Sequence, residues 1–272
     1  MAVCYRHPGR ETSVACSNCG RPICPDCMTP TPVGMRCPEC AGQTTPVRRL
    51  QTGFGGGRMP ATIALIAINA IAFVIELVGG GGATAIGQTG GQVIHDYGLN
   101  APKVAAGEDW RILTSAFLHA GFLHIALNMF ALYILGSLLE PAIGTPRFLG
   151  VYFVSLFGGA FGALLLSPNE TTVGASGAIF GLFSAAFLIA RRRGLEQLAS
   201  QLGFYIVINL AFTFGVPGIS IGGHLGGLIG GGLAALVIIA SEHRPRKELL
   251  EAAGMLVLGV LAVAGGLAVA SA

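Results

Sequence analysis

The sequence predicts an all-α polytopic membrane protein, six transmembrane helices in a bundle plus a seventh at the C-terminal end, preceded by a small zinc-binding domain. Three observations predict it. Only 11% of the 272 residues are charged, against roughly 25% in a soluble domain, while 53% are hydrophobic and mean hydropathy is +0.70. Seven apolar stretches recur at lengths near the ~20 residues that cross a bilayer. All seven cysteines lie within the first 40 residues and none in an apolar stretch, so the chain has two unlike parts. The net charge of +3 is small, and no nucleic-acid partner is expected.

Residues 1–42 read as the metal module. Cys4-x-x-His7, Cys16-x-x-Cys19, Cys24-x-x-Cys27 and Cys37-x-x-Cys40 form four ligand pairs, enough for two tetrahedral sites. A two-residue gap lets both side chains of a pair reach one ion from a tight turn. An odd number of cysteines, with His7 where an eighth thiol would stand, argues against a disulfide framework. So short a segment cannot bury a self-sufficient core, and metal would supply its folding energy. Every coordination position would be filled by protein, which makes both zinc ions structural. The order of pairs resembles a B-box type zinc finger. That resemblance implies cross-brace binding, with Cys4, His7, Cys24 and Cys27 at one ion and Cys16, Cys19, Cys37 and Cys40 at the other. Sequential pairing is the alternative.

No signal peptide is expected, the N-terminus being polar and rich in ligands. Residues 43–59 read as a flexible linker. The first span covers 61–78, interrupted by Asn69 and Glu76, which are expected to make interhelical contacts. A polar, glycine-rich loop follows, with Trp110 suited to the membrane interface. The second span, 122–139, opens near His119, His124 and Asn128. His124 and Asn128 are four apart and share a helix face. They could glue helices together or donate to a developing oxyanion. Further spans are expected at 148–166, 176–190, 198–214, 221–240 and 252–270. The last contains no ionisable residue and reads as a packing or targeting helix.

Two glycine-rich motifs carry the chemistry. Gly174-Ala175-Ser176-Gly177 opens the fourth span, and Gly174 and Gly177 strip side chains from either side of the Ser176 hydroxyl. Gly223-His224-Leu225-Gly226-Gly227 opens the sixth, and a histidine inside a membrane segment marks a functional site by default. Gly177 and Gly181 form one bare helix face, and Gly223, Gly227 and Gly231 form another. Packed backbone to backbone, the two helices would bring Ser176 within reach of His224, the arrangement of an activated serine nucleophile. The bland reading of each motif alone is helix packing. If the N-terminus is cytosolic, the outside holds only Lys103 and Arg111. Arg58, Arg147, Arg191, Arg192, Arg193, Arg244, Arg246 and Lys247 then lie inside. Ser176, His224, His124 and Asn128 would then sit at one depth, toward the outer ends of their helices.

With Trp110-Arg111, His119, His124, Asn128, Glu140-x-x-x-Gly144, Gly174-Ala175-Ser176-Gly177 and Gly223-His224-x-x-Gly227 assembled, residues 60–240 resemble a rhomboid intramembrane serine protease. The resemblance implies a six-helix core in which Ser176 is the nucleophile and His224 the general base. The side chains of His124 and Asn128 and the Ser176 amide would form the oxyanion hole. Many members carry tyrosine four residues after the serine, where this chain has Phe180, so stacking on the imidazole survives and the hydroxyl is lost. No acidic residue lies in the spans bearing Ser176 or His224, so a Ser-His dyad without an aspartate is expected, with no cofactor for catalysis.

The resemblance further implies single-pass or polytopic membrane-protein substrates, cut within the lipid bilayer. A plasma-membrane location is expected, with the N-terminus cytosolic, the C-terminus outside, and a cytosolic protein partner for the zinc module. Residues 241–272 would add a cytosolic loop and the seventh helix. The rival readings are a catalytically silent rhomboid-like scaffold and a transporter. The first would be expected to have lost the serine or histidine, and the second would show an internal repeat.

Overall fold

The computed structural model describes residues 2–31, 34–42, 58–79 and 91–272. The chain divides into two compact units, Met1–Thr52 and Gly53–Ala272. The expected linker lies outside the described residues except at 58 and 59, as does part of the loop after the first span.

In the first unit, β1 (Ala2–Cys4) pairs antiparallel with β2 (His7–Thr12), and β3 (Thr29–Thr31) with β4 (Gly34–Arg36). A short α1 (Pro38–Gly42) follows. Two-stranded ribbons are marginal in water, and here the interior is unusual. Its buried cluster is Ile23 and six cysteines.

The second unit is helical: α2 (Pro60–Val78), α3 (Gln92–Tyr97), α4 (Ala101–Ala105), α5 (Arg111–Thr114), α6 (Phe122–Ile143), α7 (Thr145–Leu166), α8 (Ser176–Arg192), α9 (Glu196–Gly215), α10 (Ile221–Ser241) and α11 (Lys247–Ala270). Six of them, α2, α6, α7, α9, α10 and α11, are long and apolar enough to cross a membrane. The sequence suggested seven of crossing length. The exception is α8, whose 17 residues extend only about 25 Å at 1.5 Å per residue. Ten of those residues are buried, so it is the helix packed most fully inside the bundle.

Polar residues fix α2 from inside. Thr62, Asn69 and Glu76 are seven apart, hence on one face, and all are buried, whereas Ile63, Ile71, Val74 and Ile75 are exposed. At the first turn, the backbone N–H groups of Ala61 and Thr62 donate to the Glu140 carboxylate at 3.0 and 2.8 Å, and the Thr62 hydroxyl donates at 2.7 Å. A carboxylate from α6 thereby satisfies amides that a helix start leaves unbonded. At the other end of α2, Glu76 accepts from the His119 backbone N–H at 3.1 Å, so it holds the loop before α6 rather than another helix. Asn69 bonds its own helix, its Nδ2 donating to Leu65 O at 2.7 Å, and also meets the Tyr152 side chain of α7, the interhelical contact expected of it.

Glycines bring α7, α8 and α10 together. A Cβ added at Gly222 would lie 2.0 Å from Gly162 O, and one at Gly226 would lie 2.1 Å from Gly158 O. On the adjoining face, a Cβ at Gly227 would meet Gly177 O at 2.0 Å and one at Gly231 would meet Gly181 O at 2.2 Å. No side chain fits anywhere along this seam. Lipid tails are as apolar as leucine, so such close backbone approach, with its dispersion and Cα–H···O contacts, supplies helix association in a bilayer.

The last helix starts earlier than its apolar run. Glu251, buried just ahead of residue 252, accepts from Arg147 Nε of α7 at 2.6 Å and from the Ser241 hydroxyl at 3.1 Å. Farther along, Gly265 and Gly266 rest against Phe161 and Leu164 of α7. The packing role is supported, but the docking group is ionisable.

The seam can be tested at two glycines of one helix. Gly227→Ala is expected to destabilise by about 3 kcal/mol through overpacking, read as a lower unfolding midpoint in detergent. At Gly232 the nearest atom to an added Cβ is 3.7 Å away. Gly232→Ala should therefore be neutral or stabilising within about 1 kcal/mol, alanine being the better helix former. Equal midpoints for both variants would contradict the backbone contact.

Candidate active site and metal centres

The ribbons of the first unit bring eight side chains into two sets. Cys4 ends β1 and pairs across the hairpin with His7, which begins β2. Cys24 and Cys27 flank a 3-10 turn, Pro25–Cys27. His7 Nδ1 lies 3.3 Å from Cys24 Sγ, 3.4 Å from Cys27 Sγ and 3.8 Å from Cys4 Sγ. Cys16, Cys19, Cys37 and Cys40 form the second set, and within each set the ligand atoms lie within 4.8 Å of one another. Gly20, at φ +75°, turns the chain back after Cys19. This is the cross-brace grouping.

The surroundings suit bound thiolates. The Cys37 backbone N–H donates to Cys16 Sγ at 3.3 Å, Asn18 Nδ2 to Cys40 Sγ at 3.3 Å and Arg21 Nε to Cys19 Sγ at 3.3 Å. Burial raises the Cys4 and Cys16 thiols, but bonds from backbone amides outweigh it and bring each down to about 6. Cys27 and Cys37 are pushed up by burial and by neighbouring sulfur, to about 11 and about 12. Four soft donors converging in this way fit a tetrahedral ion such as zinc, whose charge would release the remaining protons.

In the helical unit, the loop before α8 turns at Gly174, whose φ is +119°. The Gly174 N–H donates to Ser115 O at 2.9 Å, and Ser176 is the first residue of α8. One turn on, the Phe180 ring stacks on the His224 imidazole with centroids 4.1 Å apart. That contact places His224 of α10 against the face of α8 that starts at Ser176. No hydrogen bond joins Ser176 to His224 among the described residues, and catalytic bonds are often long without substrate. A cleft beside the serine is lined by Ser115, Thr172, Gly174, Ser220 and Gly223.

His124 comes from α6. A Cβ built on Gly174 would lie 2.8 Å from His124 Nε2 and 3.8 Å from Ser176 Oγ, so the imidazole and the hydroxyl border the space that glycine leaves open. The Ala120 backbone N–H donates to His124 Nδ1 at 3.3 Å. Nδ1 is then the accepting nitrogen, and the proton sits on Nε2. Asn128 Nδ2 donates to His124 O at 2.9 Å, with one amide proton to spare. The His119 ring meets that of His124 edge-on at 5.1 Å.

Of the resemblance residues outside the cleft, Arg111 is buried and ties the first loop together. It donates to Glu108 Oε2 at 2.7 Å, Gly98 O at 2.7 Å and His95 O at 3.0 Å, while its neighbour Trp110 is exposed. Sequence reasoning passed over Thr213 of α9. Its hydroxyl lies 2.7 Å from His224 Nδ1. Its placement four residues beyond Asn209 put the two on one helix face but gave no sign of a distant partner.

Residues 106–241 match the Rhomboid domain family. Over 212 residues the chain is 34% identical to "Rhomboid protease GluP" of Bacillus subtilis (strain 168), covering 76% of this chain and 40% of that relative. It is 36% identical over 146 residues to "Putative rhomboid protease YdcA" of the same organism, covering 52% of this chain and 73% of that relative. It is 34% identical over 155 residues to "RHOMBOID-like protein 6, mitochondrial" of Arabidopsis thaliana, spanning half of that relative's length. With six crossing-length helices and this match over half its length, the chain is a multi-pass membrane protein that belongs to the rhomboid family.

Proposed function

We propose that the protein is an intramembrane serine endopeptidase that cleaves the transmembrane segments of other membrane proteins with a Ser176–His224 dyad. Ser176 Oγ attacks the scissile carbonyl, His224 takes its proton and later returns it to the leaving amine, and an acyl-enzyme is hydrolysed by water. His124 Nε2–H, the spare Asn128 amide proton and the Ser176 backbone N–H stabilise the oxyanion. The observation that carries the reading is that two imidazoles stand by the Ser176 end of α8. His124 has its Nδ1 occupied by a backbone donor and offers a proton at Nε2, beside the space that Gly174 leaves open. His224 stacks on Phe180, one turn on from Ser176. One donor and one base are what acyl transfer needs.

Substrate helices would enter from the lipid plane, because α9 buries only Ala199, Leu202 and Thr213 and leaves the serine side of the bundle thinly walled. The excess of arginine on alternate loops supports a cytosolic N-terminus. The N-terminal module holds two structural zinc ions, which stabilise its fold and take no part in hydrolysis.

Labelling by a fluorophosphonate probe and cleavage of a transmembrane substrate in liposomes test the dyad. Ser176→Ala should lose both, and activity equal to the parent's would end the peptidase reading. His124→Ala and Asn128→Ala should each cut turnover by roughly 10²–10³, the cost of one oxyanion donor.

Metal analysis should give about two zinc ions per chain, from four ligands per tetrahedral site. After cobalt exchange, Cys24→Ser should alter the Cys₃His spectrum and spare the Cys₄ one. Sequential pairing predicts the reverse.

A further inference from the structure

We infer that Thr213, on α9, is a positioning residue for His224: its hydroxyl accepts the Nδ1–H of the imidazole and so keeps Nε2 unprotonated toward the nucleophile. The inference rests on the peptidase reading and adds a third member to the dyad.

The hydroxyl has two short contacts, 2.8 Å to Asn209 O and 2.7 Å to His224 Nδ1. It owns one proton and two lone pairs. A backbone carbonyl can only accept, so the hydroxyl proton goes to Asn209 O. The contact with Nδ1 then requires the proton to be on the ring. With Nδ1–H so engaged, the basic lone pair is on Nε2, the tautomer a general base needs to receive the serine proton. In the aspartate-containing triads an acid performs this duty. Here no acidic side chain among the described residues is hydrogen-bonded to His224, and a neutral hydroxyl, itself oriented by a helix carbonyl, takes the place of the acid.

Burial separates this contact from a chance one. Thr213 is 2% exposed, and it is the one buried residue in the outer half of a helix whose neighbours Phe212 and Phe214 are 62% and 61% exposed. Phe180 stacks on one face of the ring. A stack is equally compatible with the ring flipped by 180° about Cβ–Cγ, and the Thr213 bond to Nδ1 selects one of the two flips. The two contacts fix different coordinates and come from different helices.

The test compares parent protein, Thr213→Val, Thr213→Ser and Ser176→Ala in liposomes, with unfolding midpoints measured alongside. Thr213→Val keeps the shape and removes the acceptor. It is expected to lower kcat by roughly ten- to a hundredfold, as loss of an orienting partner does, with KM changed by less than about twofold. Thr213→Ser, which retains the hydroxyl, should restore most of the rate. Unchanged kcat in Thr213→Val, a loss carried wholly by KM, or no recovery in Thr213→Ser would each overturn the inference. Imidazole ¹⁵N shifts of His224 give a readout independent of turnover. Nδ1–H with bare Nε2 is expected in the parent and a tautomer mixture in Thr213→Val, and Nε2–H in the parent would overturn it. Failure of the peptidase reading shows separately, as an active Ser176→Ala.

Discussion

Backbone carbonyls of α7 and α8 lie against the α-carbons of α10, and the rest of the helical unit is arranged around that contact. In water, three helices can be held together by burying leucines. In lipid, burying a leucine gains almost nothing, so attraction must come from closer approach than lipid itself can make. Glycine permits that approach, at the expense of helix propensity. Once α10 is pressed to within a Cβ of Gly177 and Gly181, the first turns of α8 and α10 have little freedom of relative position. The Phe180–His224 stack follows from that register.

Around this seam, carboxylates do what leucines cannot. Glu140 collects three donors from the start of α2, Glu76 holds the loop that leads into His124, and Glu251 engages Arg147 of α7. Each is spent on groups that would otherwise be unbonded in a low-dielectric setting, where an unsatisfied amide costs several kcal/mol. The polar groups therefore act at helix ends and loops, and the apolar faces are left to lipid.

The glycine period, the apolar spans and the residues around Ser176 were legible because their spacing is local. Gly177, Gly181, Gly223, Gly227 and Gly231 can be counted off without knowing what they touch. What was hidden depends on partners distant in sequence. Glu140 could not be read as the cap of α2, because the amides it satisfies lie 78 and 79 residues away. Thr213 carried no pattern, since a single hydroxyl in an apolar span usually bonds its own helix, and this one does that as well. The short α8 is the span that length alone does not mark, because ten of its 17 residues are packed against neighbours. Spacing also left the ligand pairing open, and the approach of Cys24 and Cys27 to His7, across a gap of 17 and 20 residues, is what sorts the eight donors.

Among the described residues, Ile23 is the only buried aliphatic side chain in the first unit's core cluster. If both donor sets are filled, this unit has scarcely any interior apart from its coordination spheres, so its cohesion is a function of ion activity rather than of sequence alone. While free metal stays well above the dissociation constant of a sphere, each tenfold fall would withdraw about 1.4 kcal/mol from it. Two spheres sharing one short chain would empty together, so scarcity would melt the amino-terminal unit steeply, over a narrow range of concentration, while the helical unit, among whose described residues no such donor set occurs, kept its form.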